Sequence, residues 1–260
     1  MDMTREFAVI DKNNKINLEA LQMMSKIGTE PHRFLELMMM YRCAILEVKT
    51  KLDVLNQEFA VKTHNPIDSI KTRIKEPKSI LEKLHRRGYE LSVESVVNNI
   101  HDIAGIRVIC SFIDDIYVVA NCLMKQDDIH VLEVKDYIKN PKDNGYRSLH
   151  IILEVPVFLS ESKKIMKVEV QIRTIAMDFW ASLEHEIHYK KTDYATEDII
   201  EDLKDCADGI YRTDVRMQNI RKRLSAIGEK MNEKKGEQDE ERGEEIFAQR
   251  KNIENGKCKK

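Results

Sequence analysis

The sequence predicts an α+β fold in which a mixed β-sheet of four to five strands is flanked by helices, with helical extensions at both ends. Four segments between residues 103 and 174 are rich in β-branched residues, which is typical of strands. Apolar residues recur at helical spacing before and after these segments. With 260 residues and 42% hydrophobic content, the chain is long enough to bury one core of substantial size.

The N-terminal extension is predicted to cover residues 1–65 and to contain one long helix. Its apolar residues alternate in steps of four and three from Phe34 to Phe59, which keeps them on one helix face. Pro31 fits the first turn of this helix, where a missing N–H costs nothing. Pro66 interrupts the helical pattern, and a second helix is predicted over residues 67–85.

The core is predicted to span residues 66–192. Its strands are expected at 103–112, 130–138, 148–158 and 166–174, where Val, Ile and Thr are frequent. Helices are expected over 115–124 and from Ile175 onward, where Met177, Trp180, Leu183 and Ile187 recur at helical spacing. This arrangement places helices around a mixed sheet.

Two further helices are predicted over residues 193–232. Their apolar positions form one stripe from Ile199 to Ile210 and another from Met217 to Met231. Both stripes need partners, either within the chain or in a second copy. Residues 233–260 are mostly charged or polar, so a disordered tail is predicted there.

The overall composition excludes several classes of protein. Charged residues make up 34% of the chain but nearly cancel to a net charge of −2, which argues against a nucleic-acid binder. The five cysteines are odd in number and form no CxxC pair, so reduced thiols in a cytoplasmic protein are predicted. We expect no membrane span, because no run of about 18 apolar residues occurs.

Two clusters in the first half of the core could bind a nucleotide. Positions 75, 79 and 83 are spaced four apart, so Lys75, Ser79 and Lys83 would share one helix face that suits a polyphosphate, although a solvated face has the same pattern. Asp102 precedes a predicted strand, where its carboxylate could hold a metal. Arg107 lies within that strand, where a buried charge requires a partner or a ligand, unless the residue faces water at a sheet edge.

The third cluster is a loop that enters a strand, DYIKNPKDNGYRSLH. Asn144-Gly145 is a strong turn signal. Tyr146, Ser148 and His150 then alternate onto one strand face. An aromatic ring beside several lysines suits a nucleobase above its own phosphates, although a hairpin turn with surface lysines explains the pattern equally.

The fourth cluster, KVEVQIRT, alternates along one predicted strand. Its apolar residues face the core, whereas Glu169, Gln171 and Arg173 face the other way, toward either an active site or solvent. The chain has neither a GxxxxGK[ST] nor a GxGxxG loop. Any nucleotide is therefore held by side chains rather than by a glycine-rich loop.

Taken in order, RIK…KSI…K, DIAGIR, DYIKNPKDNGYRSLH and VEVQIRT resemble the synthetase domain of the RelA/SpoT family, over about residues 66–191. The helix before them and the IRTIAMDFWASLEHEIHYK stretch look like the small, single-domain branch of that family. The resemblance implies a nucleotidyltransferase-like synthetase core that makes the alarmone (p)ppGpp. It would transfer pyrophosphate from ATP to the 3′-hydroxyl of GDP or GTP.

The resemblance also implies roles for single residues. On the ATP side, Arg73 and Arg107 resemble the arginines that sandwich the adenine ring. The residues that resemble contacts to the ATP phosphates are Lys75, Ser79 and Lys83. It implies Mg²⁺ as the cofactor, held by Asp102 and Glu169, with Glu169 also activating the 3′-hydroxyl.

On the acceptor side, Tyr146 resembles the tyrosine that stacks on guanine. Lys135, Lys142 and His150 resemble residues that contact the acceptor phosphates or the reacting groups, and Gln171 belongs to the same motif. Asp178 stands where some small synthetases have Asn, and its carboxylate could accept two hydrogen bonds from guanine that adenine cannot offer. Relatives of this size often form homotetramers, so the resemblance implies a homo-oligomer.

Three rival hypotheses remain to be weighed. His101-Asp102 is an HD dipeptide like that of phosphohydrolases, but such a metal site needs further upstream ligands for which the sequence before Arg73 leaves no room. The chain could be a regulatory or RNA-binding module without catalysis, against which the intact motifs and the net charge argue. The acceptor could be an adenine nucleotide, against which Asp178 argues.

Overall fold

The computed structural model describes residues 31–62, 64–190 and 197–257. The chain divides into two compact units, residues 1–211 and 212–260. In the first unit, helix α1 (Pro31–Ala60) precedes strand β1 (Ile67–Ile74), and two short helices follow, α2 (Pro77–Arg86) and α3 (Val93–Asn99). No helix in the described ranges is both long enough and apolar enough to cross a membrane.

The remaining elements complete the sheet and its flanking helices. They are, in chain order, β2 (Ala104–Cys110), α4 (Ile113–Met124), β3 (His130–Asp136), β4 (Leu149–Phe158), β5 (Lys163–Thr174), α5 (Ile175–Lys190) and α6 (Glu197–Lys257). The strand order is β1-β2-β5-β4-β3, in which only β2 and β5 are parallel. The α+β class and the five-stranded mixed sheet confirm the prediction from the sequence.

Helix α1 packs across the sheet and contacts β1, β2, β4 and β5. Every apolar residue of its predicted stripe is buried, from Phe34 at its start to Phe59 at its end. On β5, Val168, Val170 and Ile172 are fully buried in the same apolar cluster. The opposite face of β5, which carries Glu169 and Gln171, is therefore left for a site.

The helix predicted over 67–85 is wrong in its first half, because residues 67–74 form β1. Ile67, Ile70 and Ile74 have helical spacing in the sequence. In the structure, a register shift between Ile67 and Ser69 brings this spacing into an antiparallel strand that pairs with β2. Lys75 consequently precedes α2 and does not share a helix face with Ser79 and Lys83, which contradicts the geometric argument made from their spacing.

The C-terminal part also differs from the sequence prediction. A single helix, α6, runs from Glu197 to Lys257 and includes most of the segment predicted to be a disordered tail. Glu, Lys, Arg and Gln are strong helix formers, which accounts for a helix of this composition. The apolar residues of the 217–231 stripe whose side chains are described are exposed: Met217, Ile220, Leu224 and Ile227.

Candidate active site

A pocket of about 310 Å³ lies on the face of the sheet that α1 does not cover. It is formed where β1, β2 and β5 lie side by side, and it has three types of lining residue. The basic ones are Lys71, Arg73, Lys75 and Arg107, the acidic ones are Asp102 and Glu169, and the others are Thr72, Gly105, Ile106 and Gln171.

The strand register aligns polar residues across this face in two rows. In one row, Lys71 pairs with Arg107, Arg107 with Gln171, and Gln171 with His150, which in turn pairs with Lys135. In the neighbouring row, Arg73 pairs with Gly105 and Gly105 with Glu169. Paired residues point to the same side of a sheet, so residues from five strands reach one surface.

Asp102 lies just before β2 and is held by two lysines. Nζ of Lys75 is 3.0 Å from Oδ2, and Nζ of Lys83 is 2.9 Å from Oδ1. Burial raises the pKa of the Asp102 carboxyl, but the hydrogen bonds and charges of Lys83 and Lys75 outweigh burial, so the pKa is lowered. The carboxylate is therefore ionised at neutral pH and lies between the cations predicted to bind the donor phosphates.

Ser79 lies in the first turn of α2, next to this cluster. The N-terminal end of a helix carries unpaired N–H groups and favours anions. Arg73, at the pocket, is exposed on β1. Of the predicted donor-side residues, Arg73, Lys75 and Arg107 line the pocket, and Lys75 does so from a strand end rather than from a helix. Lys83 contacts the pocket through Asp102, whereas Ser79 is not among the lining residues.

Glu169 lies on the central strand and accepts two hydrogen bonds. Its Oε1 is 3.1 Å from Nδ1 of His150, and Nε2 of Gln171 donates to its Oε2 at 2.9 Å. Burial raises the pKa of the Glu169 carboxyl, but the hydrogen bonds from His150 and Gln171 outweigh burial and lower it. An ionised, oriented carboxylate is what a proton acceptor requires.

Tyr146 lies at the end of the loop that precedes β4. Its Oη is 2.8 Å from Nε2 of His150, and a guanidinium nitrogen of Arg173 donates to it at 3.0 Å. The ammonium of Lys142 lies 4.7 Å from the centre of the Tyr146 ring and 4.9 Å from that of Tyr137. These contacts bring the predicted base-stacking residue and one predicted phosphate contact together.

The loop before β4 packs closely against α6 at Gly145. Its φ is +84°, and a Cβ there would lie 2.5 Å from the Cβ of Ala207 on α6. Only glycine fits such a position.

Lys135, on the edge strand, pairs with Glu133 at 2.9 Å, which raises the pKa of the lysine.

Asp178, in the first turn of α5, contacts three cations. Its oxygens lie 3.2 Å from Arg107, 3.3 Å from Lys71 and 3.5 Å from Arg173. Its side chain is only 13% exposed. Its predicted contact with guanine stays a prediction, but the residue clearly belongs to the same site.

Arg173, Lys71 and Tyr137 have contacts in this site but no role predicted from the sequence. Arg173 shares a strand face with Glu169 and Gln171, and this alternation was the signal that could have identified it. Lys71 lies in the segment interpreted as a helix, so its pairing with Arg107 was not visible. Tyr137 packs edge-on against His150 at 5.2 Å between ring centres, a contact that requires the β3–β4 pairing to be known.

The chain is similar in sequence to known proteins. Residues 72–194 match the family described as "Region found in RelA / SpoT proteins". GTP pyrophosphokinase YwaC of Bacillus subtilis (strain 168) is 45% identical over 188 residues, which span 72% of this chain and 90% of that relative.

Two solved structures are similar in fold as well as in sequence. Small alarmone synthetase 2 from Bacillus subtilis has a TM-score of 0.67 at 45% identity, over 72% of this chain and 97% of that chain. Small alarmone synthetase 1 from the same organism, bound to its product pppGpp, has a TM-score of 0.70 at 34% identity, over 75% of this chain and 99% of that chain. The chain therefore belongs to the RelA/SpoT family.

Proposed function

We propose that this protein is a GTP pyrophosphokinase that synthesises (p)ppGpp by transferring the β,γ-pyrophosphate of ATP to the 3′-hydroxyl of GDP or GTP. The observation that carries the proposal is the position of Glu169, an ionised carboxylate at the centre of the sheet. A cationic pocket lies on one side of it, and an aromatic and basic loop lies on the other. Two nucleotides can meet at such a carboxylate.

The donor ATP is proposed to occupy the pocket of β1 and β2. Arg73 and Arg107 line this pocket with planar guanidinium groups that can stack on an adenine ring. Lys75 and Lys83, now bonded to Asp102, are placed to contact the phosphates, and Ser79 offers a hydroxyl in the first turn of α2.

The acceptor is proposed to occupy the side of β4 and β3. Tyr146 would stack on the guanine ring, which requires the ammonium of Lys142 to leave the ring face and makes it available to the acceptor phosphates. Lys135 and Gln171 face the same surface as His150. Small alarmone synthetase 1 of Bacillus subtilis, with its product pppGpp bound, supports an acceptor of this chemistry.

The chemical step is an in-line displacement at phosphorus. The 3′-oxygen forms a bond to the β-phosphorus of ATP, the bond from that phosphorus to the α,β-bridging oxygen breaks, and AMP leaves. Glu169 accepts the proton of the 3′-hydroxyl. His150 and Gln171 orient its two oxygens, while the lysines offset charge on the polyphosphate.

Mg²⁺ is the cofactor we propose, with Asp102 and Glu169 as its protein ligands. Among residues 31–62, 64–190 and 197–257, no three His, Cys, Asp or Glu side chains form a group that could hold a metal. Two carboxylates that line one pocket nevertheless suit Mg²⁺, which commonly takes one or two carboxylates together with substrate phosphates. Bound there, Mg²⁺ would offset the negative charge of the polyphosphate.

We further propose that the protein forms a homotetramer. In support, helix α5 carries exposed apolar residues at intervals of four: Ile175, Phe179, Leu183 and Ile187. Such a row is suited to an interface between copies. Sedimentation equilibrium would measure the mass, and a monomer at micromolar concentration would contradict this part of the proposal.

The activity is tested by incubating the protein with ATP, Mg²⁺ and each of GMP, GDP and GTP. We expect AMP together with a 3′-pyrophosphorylated guanine nucleotide, in equal amounts. Formation of ADP and phosphate, or no reaction with any of the three acceptors, would contradict the proposed function.

A further inference from the structure

Five side chains, among them Glu169, form a closed ring of hydrogen bonds. One nitrogen of Arg173 donates to Oε1 of Gln171 at 2.8 Å and to Oη of Tyr146 at 3.0 Å. Gln171 donates to Glu169 at 2.9 Å, and His150 joins Tyr146 to Glu169 through contacts of 2.8 Å and 3.1 Å. The ring therefore has two arms, both of which begin at Arg173 and end at Glu169.

The directions of these hydrogen bonds follow from the chemistry of the groups. An ionised carboxylate only accepts, so Nδ1 of His150 carries a proton and donates it to Glu169. In that tautomer Nε2 is an acceptor, which takes the O–H of Tyr146. Arg173 can only donate, and Tyr146 and Gln171 accept from it. Every bond thus runs from donor to acceptor along both arms without conflict.

We propose that Arg173 is a positioning residue, which fixes the carboxylate of Glu169 and the ring of Tyr146 through these two arms. The inference rests on the proposed function, in which Glu169 accepts the proton and Tyr146 holds the acceptor base. Its consequence is that one guanidinium determines both where the acceptor ring stacks and how the proton acceptor is oriented.

Burial separates Arg173 from the residues that touch substrate. Its side chain is only 2% exposed, so a nucleotide in the pocket cannot reach it without rearrangement. Burial lowers the pKa of its guanidinium, which reflects the cost of keeping a charge there.

Stability gives no sufficient reason to keep a charge at this position. Within the described part of the chain, Nε of Arg173 is buried and has no hydrogen-bond partner. Buried ion pairs often contribute no more to stability than apolar side chains of similar volume. The two arms to Glu169 explain the guanidinium, because both begin at one of its nitrogens, whose two hydrogens are held in fixed directions by the planar group.

The test uses Arg173→Lys and Arg173→Met in the full chain, with steady-state AMP formation measured against GDP and ATP separately. Because small displacements of reacting groups are costly, we expect kcat to fall by about 10- to 100-fold. Because Tyr146 would be displaced and is proposed to stack on the acceptor base, the KM for GDP should rise. The KM for ATP should change much less. A loss of folded protein alone would lower apparent kcat and leave both KM values in place.

Arg147→Met is the matched control. Arg147 is a second largely buried arginine with an unpartnered Nε in the described residues, but it pairs with Asp208 at 2.8 Å and lies outside the ring. We expect its replacement to lower the melting temperature while the ratio of the KM values for GDP and ATP stays at the wild-type level.

A second measurement applies even if Arg173→Met does not fold. Tyr146→Phe keeps the ring and removes only Oη, and it is combined with Arg173→Lys in a double-mutant cycle. If both act through one arm, their effects on log kcat are less than additive. Additive effects would overturn the inference, as would Arg173 variants with wild-type kcat and wild-type KM for GDP. A wild-type protein that releases no AMP would instead contradict the proposed function itself.

Discussion

The carboxylate of Asp178 lies 3.2 Å from the guanidinium of Arg107. Asp178 was predicted to read the acceptor base, whereas Arg107 was predicted to hold the donor base. Lys71 and Arg173 contact the same carboxylate, so Asp178 joins residues of both nucleotide sites. Replacing it should therefore disturb more than one substrate.

We predict that Asp178→Ala reduces the preference for GDP over ADP as acceptor and also raises the KM for ATP. The first effect follows from losing an acceptor of the guanine N1–H and amino groups. The second follows from freeing Arg107 from its ion pair. Acceptor competition assays measure the first effect and initial rates at varied ATP measure the second.

Asp178→Asn refines this prediction. Its amide retains one oxygen, but removes the charge that holds Arg107 and Arg173. We expect it to retain part of the guanine preference and to show the full change in the KM for ATP. An unchanged ratio of GDP to ADP use in Asp178→Ala would rule out the role in base selection.

We predict that Glu169→Gln abolishes most turnover and leaves the protein folded. An amide accepts no proton from the 3′-hydroxyl, and loss of a general base typically costs about 10²- to 10⁴-fold in rate. Gln is nearly isosteric, so far-UV circular dichroism should show the wild-type fold, although weaker hydrogen bonds from His150 and Gln171 should lower the melting temperature. The rate is measured as AMP released.

Glu154→Gln provides the control for Glu169→Gln. Glu154 lies on the neighbouring strand, paired with Lys167, and is not among the residues that line the pocket. We expect nearly full activity in this variant. Wild-type activity in Glu169→Gln would contradict the proposed mechanism.

The sequence was sufficient to predict the strands that are rich in β-branched residues. β2, β3, β4 and β5 all lie within three residues of their predicted bounds, and β2, β4 and β5 are buried on at least one face. β1 was not predicted, because its isoleucines have helical spacing and only the register shift against β2 fits them to a strand. Local patterns cannot reveal a pairing with a segment more than thirty residues away.

The candidate site was likewise only partly predictable from local sequence patterns. Alternation along β5 placed Glu169, Gln171 and Arg173 on one face, and the structure confirms that placement through their mutual contacts. The closed ring also needs His150 on β4 and Tyr146 in the loop before it, and their positions depend on the β4–β5 register. Alternation places Arg173 on that face too, but its hydrogen bond to Tyr146, on a different segment, has no signature in the sequence.

We predict that acid weakens the fold partly through Asp136, which lies at the end of β3. Burial raises its pKa, but hydrogen bonds from the backbone N–H of Lys139 and Ile138, the ammonium of Lys139 and the hydroxyl of Tyr117 outweigh burial and lower it. A lowered pKa in the folded state stabilises the protein above the ordinary value of 3.8. That contribution is lost as the pH falls below 3.8 through the folded-state value.

Urea unfolding between neutral pH and pH 3 measures this effect in the wild type and in Asp136→Asn. At neutral pH the variant should be less stable by about 1–3 kcal/mol, the usual cost of weakening hydrogen bonds to a charged group. The difference should shrink as the wild-type carboxylate is protonated. Asp53→Asn, which removes an exposed carboxylate on α1, is the control. A difference that stays constant down to pH 3 would contradict the prediction.

We predict that Gly105→Ala weakens ATP binding without weakening the fold. Gly105 lies in the pocket opposite Arg73 and two residues before Arg107. A Cβ there meets only the carbonyl oxygen of Arg73, at 3.5 Å, which is ordinary van der Waals contact, so the strand accepts alanine. The methyl group would project between the two arginines, in the space proposed for adenine. Overpacking of about 1–3 kcal/mol corresponds to a rise of roughly 5- to 150-fold in the KM for ATP.

Gly228→Ala, in the second compact unit, serves as the control for Gly105→Ala. A Cβ at Gly228 meets no atom within 4 Å, and alanine favours the helix. Kinetics at varied ATP and varied GDP should therefore show a selective change in the KM for ATP in Gly105→Ala and none in Gly228→Ala. Equal KM values for ATP in both variants would contradict the proposed position of adenine beside Gly105, because a methyl group there cannot be accommodated without displacing a stacked base.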